Sequence, residues 1–300
     1  IVSQSHPNFE VIVVDDHSMD HSWQVLQQMQ KTTSRLSIFQ MKGEKGGKKN
    51  ALLFGISKAK NYCLLFTDAD CYPASERWIA EMMAHVDEKK IVLGYGRYEK
   101  SSGLLNKLVR YDTLFTGIRY FSFAAAGRPY MGVGRNLLYT KDIFKASQAF
   151  QDHAHIPFGD DDLLVNEMGN AQNSIICFRA ASHTISLPAS CWKEFFLQKL
   201  RHLKAGKFYK TGDKLHLGIE GLSRAVFLIS SGLLLLLGKW MLLPFILMIA
   251  LLHYFTLYQA SAKLKDRDLV KFIFILEPLH FLFLSTCAAF SLFKKEIIWK

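Results

Sequence analysis

Up to about Glu220, short apolar runs alternate with polar, helix-like stretches. Phe9 to Val14 is a β-branched run closed by Asp15-Asp16, which predicts a buried strand. Ser22 to Lys31 predicts a helix and Leu36 to Gln40 a second strand. After the glycine-rich turn at Gly46-Gly47, Asn50 to Ala59 predicts a helix, and Tyr62 to Thr67 a buried strand ending in Asp68 and Asp70. Ser75 to His85 predicts a helix and Ile91 to Arg97 a further strand. Such alternation, with polar residues at strand ends, indicates an α/β sandwich around a mostly parallel sheet. In these sheets the ligand crevice lies at the carboxyl ends of the strands, where both acidic clusters fall.

After Gly221 the pattern changes. Leu222 to Tyr258 carries only Arg224 and Lys239 as full charges and includes an unbroken leucine run, Leu233 to Leu237. One straight helix of that length would extend roughly 50 Å against a hydrocarbon core of about 30 Å. Two spans turning at Gly238-Lys239-Trp240 fit better, the first of them short. A linker with Lys263, Lys265, Arg267 and Lys271 follows, then a third apolar segment from Phe272 to Phe293. The expected organisation is an α/β domain over 1–220 and a membrane region over 221–300, with helices near 222–237, 240–259 and 271–293. The chain would be a multi-pass protein of the cell membrane. The positive-inside rule puts the linker in the cytoplasm, and with two preceding spans the α/β domain too, leaving Lys294, Lys295 and Lys300 outside. Glu277 and His280, three apart on one helix, are expected to face neighbouring helices and bond to each other beside a kink at Pro278.

Composition narrows the partners. Half of the residues are hydrophobic and 21% charged, with 23 Phe, which excludes a disordered chain. The net charge of +11 is spread over both parts, with 9 basic and 4 acidic residues from Gly221 onward and no long Lys/Arg run. That distribution favours anionic membrane surfaces and phosphate-bearing ligands over nucleic acid. The five cysteines form no C-x-x-C pair, so neither a disulfide framework nor a zinc ribbon is expected, but reduced thiols in a cytosol-facing domain.

Three acidic clusters carry the candidate chemistry. Asp15, Asp16, Ser18 and Asp20 follow a strand and are able to cap the next helix. Asp68 and Asp70, two residues apart at another strand end, repel unless a divalent cation with oxygen ligands sits between them, and such a cation completes its shell with substrate phosphates. Gly159-Asp160-Asp161-Asp162 precedes a helix-like segment from Leu163 to Met168, with Asp162 the expected cap. Two basic elements complement them. Gly46-Gly47-Lys48-Lys49 opens a helix and offers N–H groups and charge to phosphate, although the P-loop spacing is absent. Trp192 to Tyr209 holds Gln198, Arg201, His202, Lys204 and Lys207 as an interfacial, basic aromatic helix.

In this order the pieces resemble the family 2 glycosyltransferases, from Gln4 to about Lys210. Gln4-x-x-Pro7-x-Phe9-Glu10-Val11, Val13-Val14-Asp15-Asp16-x-Ser18-x-Asp20, Gly47-Lys48-x-x-Ala51-Leu52, Asp68-Ala69-Asp70, Gly132-x-Gly134-Arg135-Asn136, Gly159-Asp160-Asp161 and Gln198-x-x-Arg201-His202 carry the likeness. It implies a GT-A fold binding a nucleotide-diphosphate sugar. By resemblance, Asp15 and Asp16 contact base and ribose, and Lys48, Gln198 and Arg201 also bind the donor. Asp70 is the direct ligand of Mg²⁺ or Mn²⁺, with Asp68 nearer the ribose and sharing the metal site. Asp161 is the catalytic base, with Asp160 its neighbour in register, and Gly132 to Asn136 is the acceptor-side segment. His202 stands where processive synthases have Trp, a departure that weighs against long-polymer synthesis, and Leu53 where the family often has Asn. The family's opening strand and Asn-Glu loop, ahead of the Gln4 block, have no counterpart here, so a fragment is expected. The implied activity is inverting sugar transfer to a lipid-linked or membrane-adjacent glycan acceptor. The alternative is a non-catalytic membrane protein whose α/β domain binds sugar nucleotide or scaffolds a complex.

Overall fold

The computed structural model describes residues 1–43 and 46–293; Lys294, Lys295 and Lys300 lie outside the described residues. The first half follows the predicted alternation closely. Strand β1 (Val11–Asp15), helix α1 (Ser22–Thr32), β2 (Leu36–Gln40), α2 (Lys48–Lys58) and β3 (Cys63–Phe66) each fall within a few residues of their predicted spans. Asp20 Oδ1 accepts from the Ser22 N–H at 2.9 Å and so satisfies one of the open donors at the start of α1. Then come β4 (Cys71–Pro73), α3 (Trp78–Met83), β5 (Ile91–Gly94), β6 (Gly96–Tyr98) and α4 (Leu104–Ala125). The chain continues through β7 (Leu137–Thr140), α5 (Lys141–Ala146), α6 (Ala149–Asp152), α7 (Asp162–Met168), β8 (Ser174–Cys177) and β9 (Thr184–Ser186). Four helices end the described chain: α8 (Trp192–Ala205), α9 (Thr211–Leu236), α10 (Leu243–Lys263) and α11 (Ile273–Phe293).

Two compact units share these elements. Among the described residues, the first comprises Ile1–Gly96 and Tyr120–Ser186, the second Arg97–Arg119 and residues 187–293. In the first unit β1 pairs with β2 in parallel, Val11 beside Leu36 and Asp15 beside Gln40. A second sheet has the order β3-β7-β5-β8. Here β7 runs antiparallel to both β3 and β5, while β8 runs parallel to β5. Strand β4 pairs antiparallel with β9. The sheets are therefore mixed, where the strand–helix alternation predicts a mostly parallel one. The reason is β7, which enters between β3 and β5 from a loop rather than through a crossover helix. The expected strand from Ile91 to Arg97 is also broken, because the Tyr95 carbonyl accepts from Asn136 Nδ2 at 3.0 Å and from the Thr184 N–H at 3.2 Å instead of extending one ladder. Trp78, Ile79 and Met82 of α3 pack on Val92, Leu138 and Cys177 of the sheet, and each large side chain so buried contributes about 1.5–3 kcal/mol.

The second unit has a polar interior inside an apolar shell. Phe195 stacks on Phe283 with centroids 4.5 Å apart, joining α8 to α11. Beneath this contact Asp112 of α4 takes Lys199 Nζ at 2.5 Å and His280 Nε2 at 3.0 Å, all three groups at most 9% exposed. Burial pushes the Asp112 carboxyl up, but the Lys199 ammonium and His280 more than offset this and hold it well below the usual carboxylate range. Arg224 of α9 donates to Glu277 at 2.6 Å and to His280 Nδ1 at 3.1 Å, and Tyr111 also bonds to Glu277. Since a guanidinium only donates, the His280 proton lies on Nε2 and is given to Asp112. Glu277 and His280 thus do not bond to each other as expected; each finds partners on other helices, which a reading of one helix in isolation does not reveal. Likewise the basic linker turns on its acids, for buried Arg110 grips Asp266 at 2.6 Å and Asp268 at 2.7 Å.

Three helical segments, Thr211–Leu236, Trp240–Lys263 and Arg267–Phe293, are long and apolar enough to cross a membrane, with mean hydropathy of 1.6, 2.0 and 1.8. The first begins at Thr211, so it is not the short span expected. Gly218 and Gly221 sit inside it with open space around them, and a helix carries such residues for about 1 kcal/mol each. Replacing Lys199 by Met should leave the Asp112 charge buried beside His280 alone and cost about 3–5 kcal/mol in denaturant unfolding. Pairing Lys199→Met with Asp112→Asn should restore most of that loss; no recovery in the double variant would mean that the ion pair is not what holds α8 to α4.

Candidate active site

The ends of β1 and β3 bring the first two acidic clusters to one side of the first unit. Asp15 is buried and accepts from Gln40 Nε2 at 3.1 Å. Asp16 Oδ2 accepts from the Gly47 N–H at 2.6 Å and Oδ1 meets His17 Nδ1 at 3.0 Å. Gly47 needs its freedom, since its φ of 114° at the start of α2 is one that side chains resist. Asp16 therefore fixes the turn that launches α2, and the launch sets Lys48 in place.

Lys48 is the hub of a pocket lined by Thr67, Asp68, Gly134, Asp160 and Asp161 over a floor of Leu52, Phe66, Leu137 and Tyr139. Its Nζ lies 3.0 Å from Asp68 Oδ1 and 3.6 Å from Asp160 Oδ2. Burial pulls this lysine down, but Asp160, Asp68 and Asp161 overcome it and hold the ammonium well above the ordinary lysine value. The site therefore keeps a fixed positive charge at any working pH. Lys49 is also buried and donates to the His153 carbonyl at 2.8 Å, so it ties α2 to the loop after α6.

Asp161 is held by backbone. Its Oδ2 accepts from the Gly134 N–H at 2.5 Å and its Oδ1 from the Asp162 N–H at 2.9 Å. It is thus Asp161, not Asp162, that caps α7, because Asp162 already lies in the first turn. A Cβ at residue 134 would stand 3.1 Å from Asp161 Oδ2, so glycine there permits the approach. Burial and the neighbouring Asp160 charge raise the Asp161 carboxyl to about 6, against the pull of Lys48 and the two N–H donors.

Asn136 secures the segment that carries Gly134. Wholly buried, it donates to the Tyr95 and Ser182 carbonyls at 3.0 and 2.7 Å and accepts from Trp78 Nε1 at 2.9 Å. Asp68, Asp70 and Cys71 place ligand atoms within 4.8 Å of one another. Burial pushes the Cys71 thiol up to about 11, and its Sγ meets Ser186 Oγ at 2.8 Å. One group escapes the motifs: Thr67 Oγ1 is buried on the pocket wall with no hydrogen-bond partner among the described residues. Gly134 lies within a quoted motif, but its contact with Asp161 is made by its backbone N–H. Only the position of Thr67 between a strand end and Asp68 signals it in the sequence.

The predicted donor contacts divide between the units. Asp15, Asp16, Lys48, Asp68, Asp70, Asp160 and Asp161 belong to the first unit, Gln198 and Arg201 to α8 of the second. Gln198 Nε2 donates to the Tyr98 hydroxyl at 2.8 Å, and burial draws the Arg201 guanidinium below its ordinary value.

The fold is that of GT-A glycosyltransferases. A solved mannosyltransferase from Pyrobaculum calidifontis, in complex with GDP-Man and Mn²⁺, superimposes with a TM-score of 0.58 at 16% identity, over 98% of this chain and 81% of that one. Residues 1–146 match the family model Glycosyl transferase family 2. A glycosyltransferase named GlyG from Streptococcus pneumoniae serotype 4 is 32% identical over 106 residues, or 34% of this chain. The match spans about a third of that relative's length, 35%.

Replacing Asn136 by Ala should strand the Ser182 carbonyl and the Trp78 indole N–H in the interior, leave the Tyr95 carbonyl with the Thr184 N–H alone, and destabilise the protein by about 2–4 kcal/mol. Thermal unfolding measures it, and a loss below about 1 kcal/mol would remove Asn136 from its anchoring role.

Proposed function

We propose that this chain transfers a sugar from a nucleotide-diphosphate sugar to an acceptor hydroxyl with inversion, at the cytoplasmic face of a membrane. The observation that carries the reading is Asp161, a carboxylate on the pocket wall raised to about 6 and held in place by the Gly134 and Asp162 N–H groups. At pH 7 about nine-tenths of such a group is ionised, yet it is basic enough to take a proton. The acceptor oxygen forms its bond to the anomeric carbon as its proton passes to an Asp161 oxygen. The bond from that carbon to the diphosphate breaks, and the nucleoside diphosphate leaves with the electron pair. The two N–H groups that hold Asp161 orient it without consuming all of its lone pairs.

Charge develops on the diphosphate, and Lys48 supplies a fixed cation for it from the chain itself. Asp68 and Asp70 are the residues that would hold Mg²⁺ or Mn²⁺, and their clustered carboxylate oxygens suit such a hard cation. When bound, that cation adds Lewis-acid stabilisation of the leaving group. On the family likeness we assign Gln198 and Arg201 to the diphosphate and Asp15 and Asp16 to base and ribose. GDP-mannose in the Pyrobaculum enzyme supports a donor of this class here. The apolar helices make a lipid-linked or membrane-adjacent acceptor the natural one, with Thr211–Leu236, Trp240–Lys263 and Arg267–Phe293 as the membrane region rather than a boundary at residue 220.

The decisive experiment screens the protein with sugar nucleotides for released nucleoside diphosphate. Asp161→Asn should lower kcat by about 10²–10⁴ with little change in nucleotide affinity, and Asp160→Asn should be milder. Full activity in both variants would reject the catalytic cluster. The rate should also rise with pH through about 6 and level off above it, because protonation removes the base while Lys48 stays charged. A flat profile between pH 5 and 7 would place the base elsewhere. For topology, Lys263→Cys should resist an impermeant thiol reagent in intact cells, and ready labelling would reverse the proposed orientation.

A further inference from the structure

Strand β7 sends alternate side chains to opposite faces of its sheet. Leu138 packs into the core with Trp78, Met82 and Val92, whereas Leu137 and Tyr139 line the pocket. Phe66 of β3 pairs with Leu137, and its ring lies 4.6 Å from the Tyr139 ring at 31°. A phenylalanine at residue 139 would make that ring contact equally well, so the hydroxyl needs a separate reason. Tyr139 is only 1% exposed, yet its hydroxyl makes no hydrogen bond among the described residues. A second hydroxyl on the same pocket wall, Thr67 Oγ1, is buried and equally without a partner. One unpaired buried hydroxyl is costly, and two in one pocket mark a place for a polar group from outside the chain.

The lining indicates which group that is. Asp68, Asp160 and Asp161 outnumber Lys48, so the space disfavours a further anion and suits a neutral oxygen. Burial and the Asp160 and Asp161 charges hold the Tyr139 phenol well above its ordinary value, so it remains a donor. The cavity measures about 50 Å³, room for a few waters or for one hydroxyl-bearing arm. In the proposed reaction the anomeric carbon must reach both the diphosphate beside Lys48 and an Asp161 oxygen, which brings the sugar to this cavity. We propose that Thr67 and Tyr139 select the transferred sugar by binding one of its hydroxyl groups, Tyr139 donating to the oxygen and Thr67 Oγ1 accepting the proton. The inference rests on the sugar-transfer reading above and adds two residues that recognise the sugar rather than the nucleotide.

Tyr139→Phe and Thr67→Val remove the hydroxyls and keep the shapes. The full chain in detergent with Mn²⁺ is titrated calorimetrically with GDP-mannose, UDP-glucose and UDP-N-acetylglucosamine, and separately with GDP and UDP. Any of these sugar nucleotides that the unaltered protein binds should lose about fivefold to tenfold in affinity in each variant, while its bare diphosphate changes by less than about twofold. Without ligand, both variants should melt no lower than the parent, since neither hydroxyl has a protein partner to lose. A drop of more than about 3 °C in either variant would assign that hydroxyl to the fold and overturn the proposal. Sugar-nucleotide affinities that stay unchanged, or fall together with those of GDP and UDP, overturn it as well and leave the nucleotide-sugar reading standing. No binding of any probe by the unaltered protein overturns both. Selective loss in the variants of a protein that releases no nucleoside diphosphate supports the subsite and counts against sugar transfer alone.

Discussion

One ammonium holds the first unit's site together. Without Lys48, the carboxylates of Asp68, Asp160 and Asp161 would face one another across a partly dry pocket, and repulsion would push them apart or protonate them. With it, charge is balanced unevenly. Asp68 has Lys48 at hydrogen-bond distance, while Asp161 is left with backbone donors and a raised affinity for protons. In the proposed mechanism, the separation of a leaving-group side from a proton-accepting side follows from where one lysine is put. Its place depends in turn on Asp16, which ties down the glycine turn at the start of α2.

Much of the first unit was legible in the sequence because its signals are local. A β-branched run closed by aspartates fixes a strand and its end together, as at Val11–Asp15 and Cys63–Phe66. The motif residues Lys48, Asp68, Asp160 and Asp161 do meet in one pocket. What the sequence hides is non-local. Nothing near Leu137–Thr140 says that this strand runs against both of its neighbours. No pattern marks Asn136 as the link between the Tyr95 bend, the Ser182 carbonyl and Trp78, since its three partners come from three distant segments. The choice of Asp161 over Asp162 as cap is a matter of one residue of register, which propensity does not resolve.

The second unit fails the sequence reading for a different reason. Hydropathy marks long apolar helices well, but it treats each polar residue in them as an isolated exception. Here the exceptions are partners. Arg224, Glu277 and His280 satisfy one another and reach Tyr111 and Asp112, residues of a helix that the apolar pattern does not flag at all. The mean hydropathy of α11 is compatible with a lipid-facing rod, yet His280 on it is wholly buried.

That polar interior bears on how this chain can be divided for the bench. Residue 220 is the natural place to cut if the apolar segments are viewed as a detachable anchor, but it lies within α9. A chain ending there would lack Asp266 and Asp268, the partners of Arg110, and His280, one partner of Asp112. It would also bare the aromatic faces of α8 that Phe283 and Phe290 cover. A water-soluble version is therefore a redesign problem rather than a matter of choosing an end point: α4 and α8 would need new, neutral inner faces.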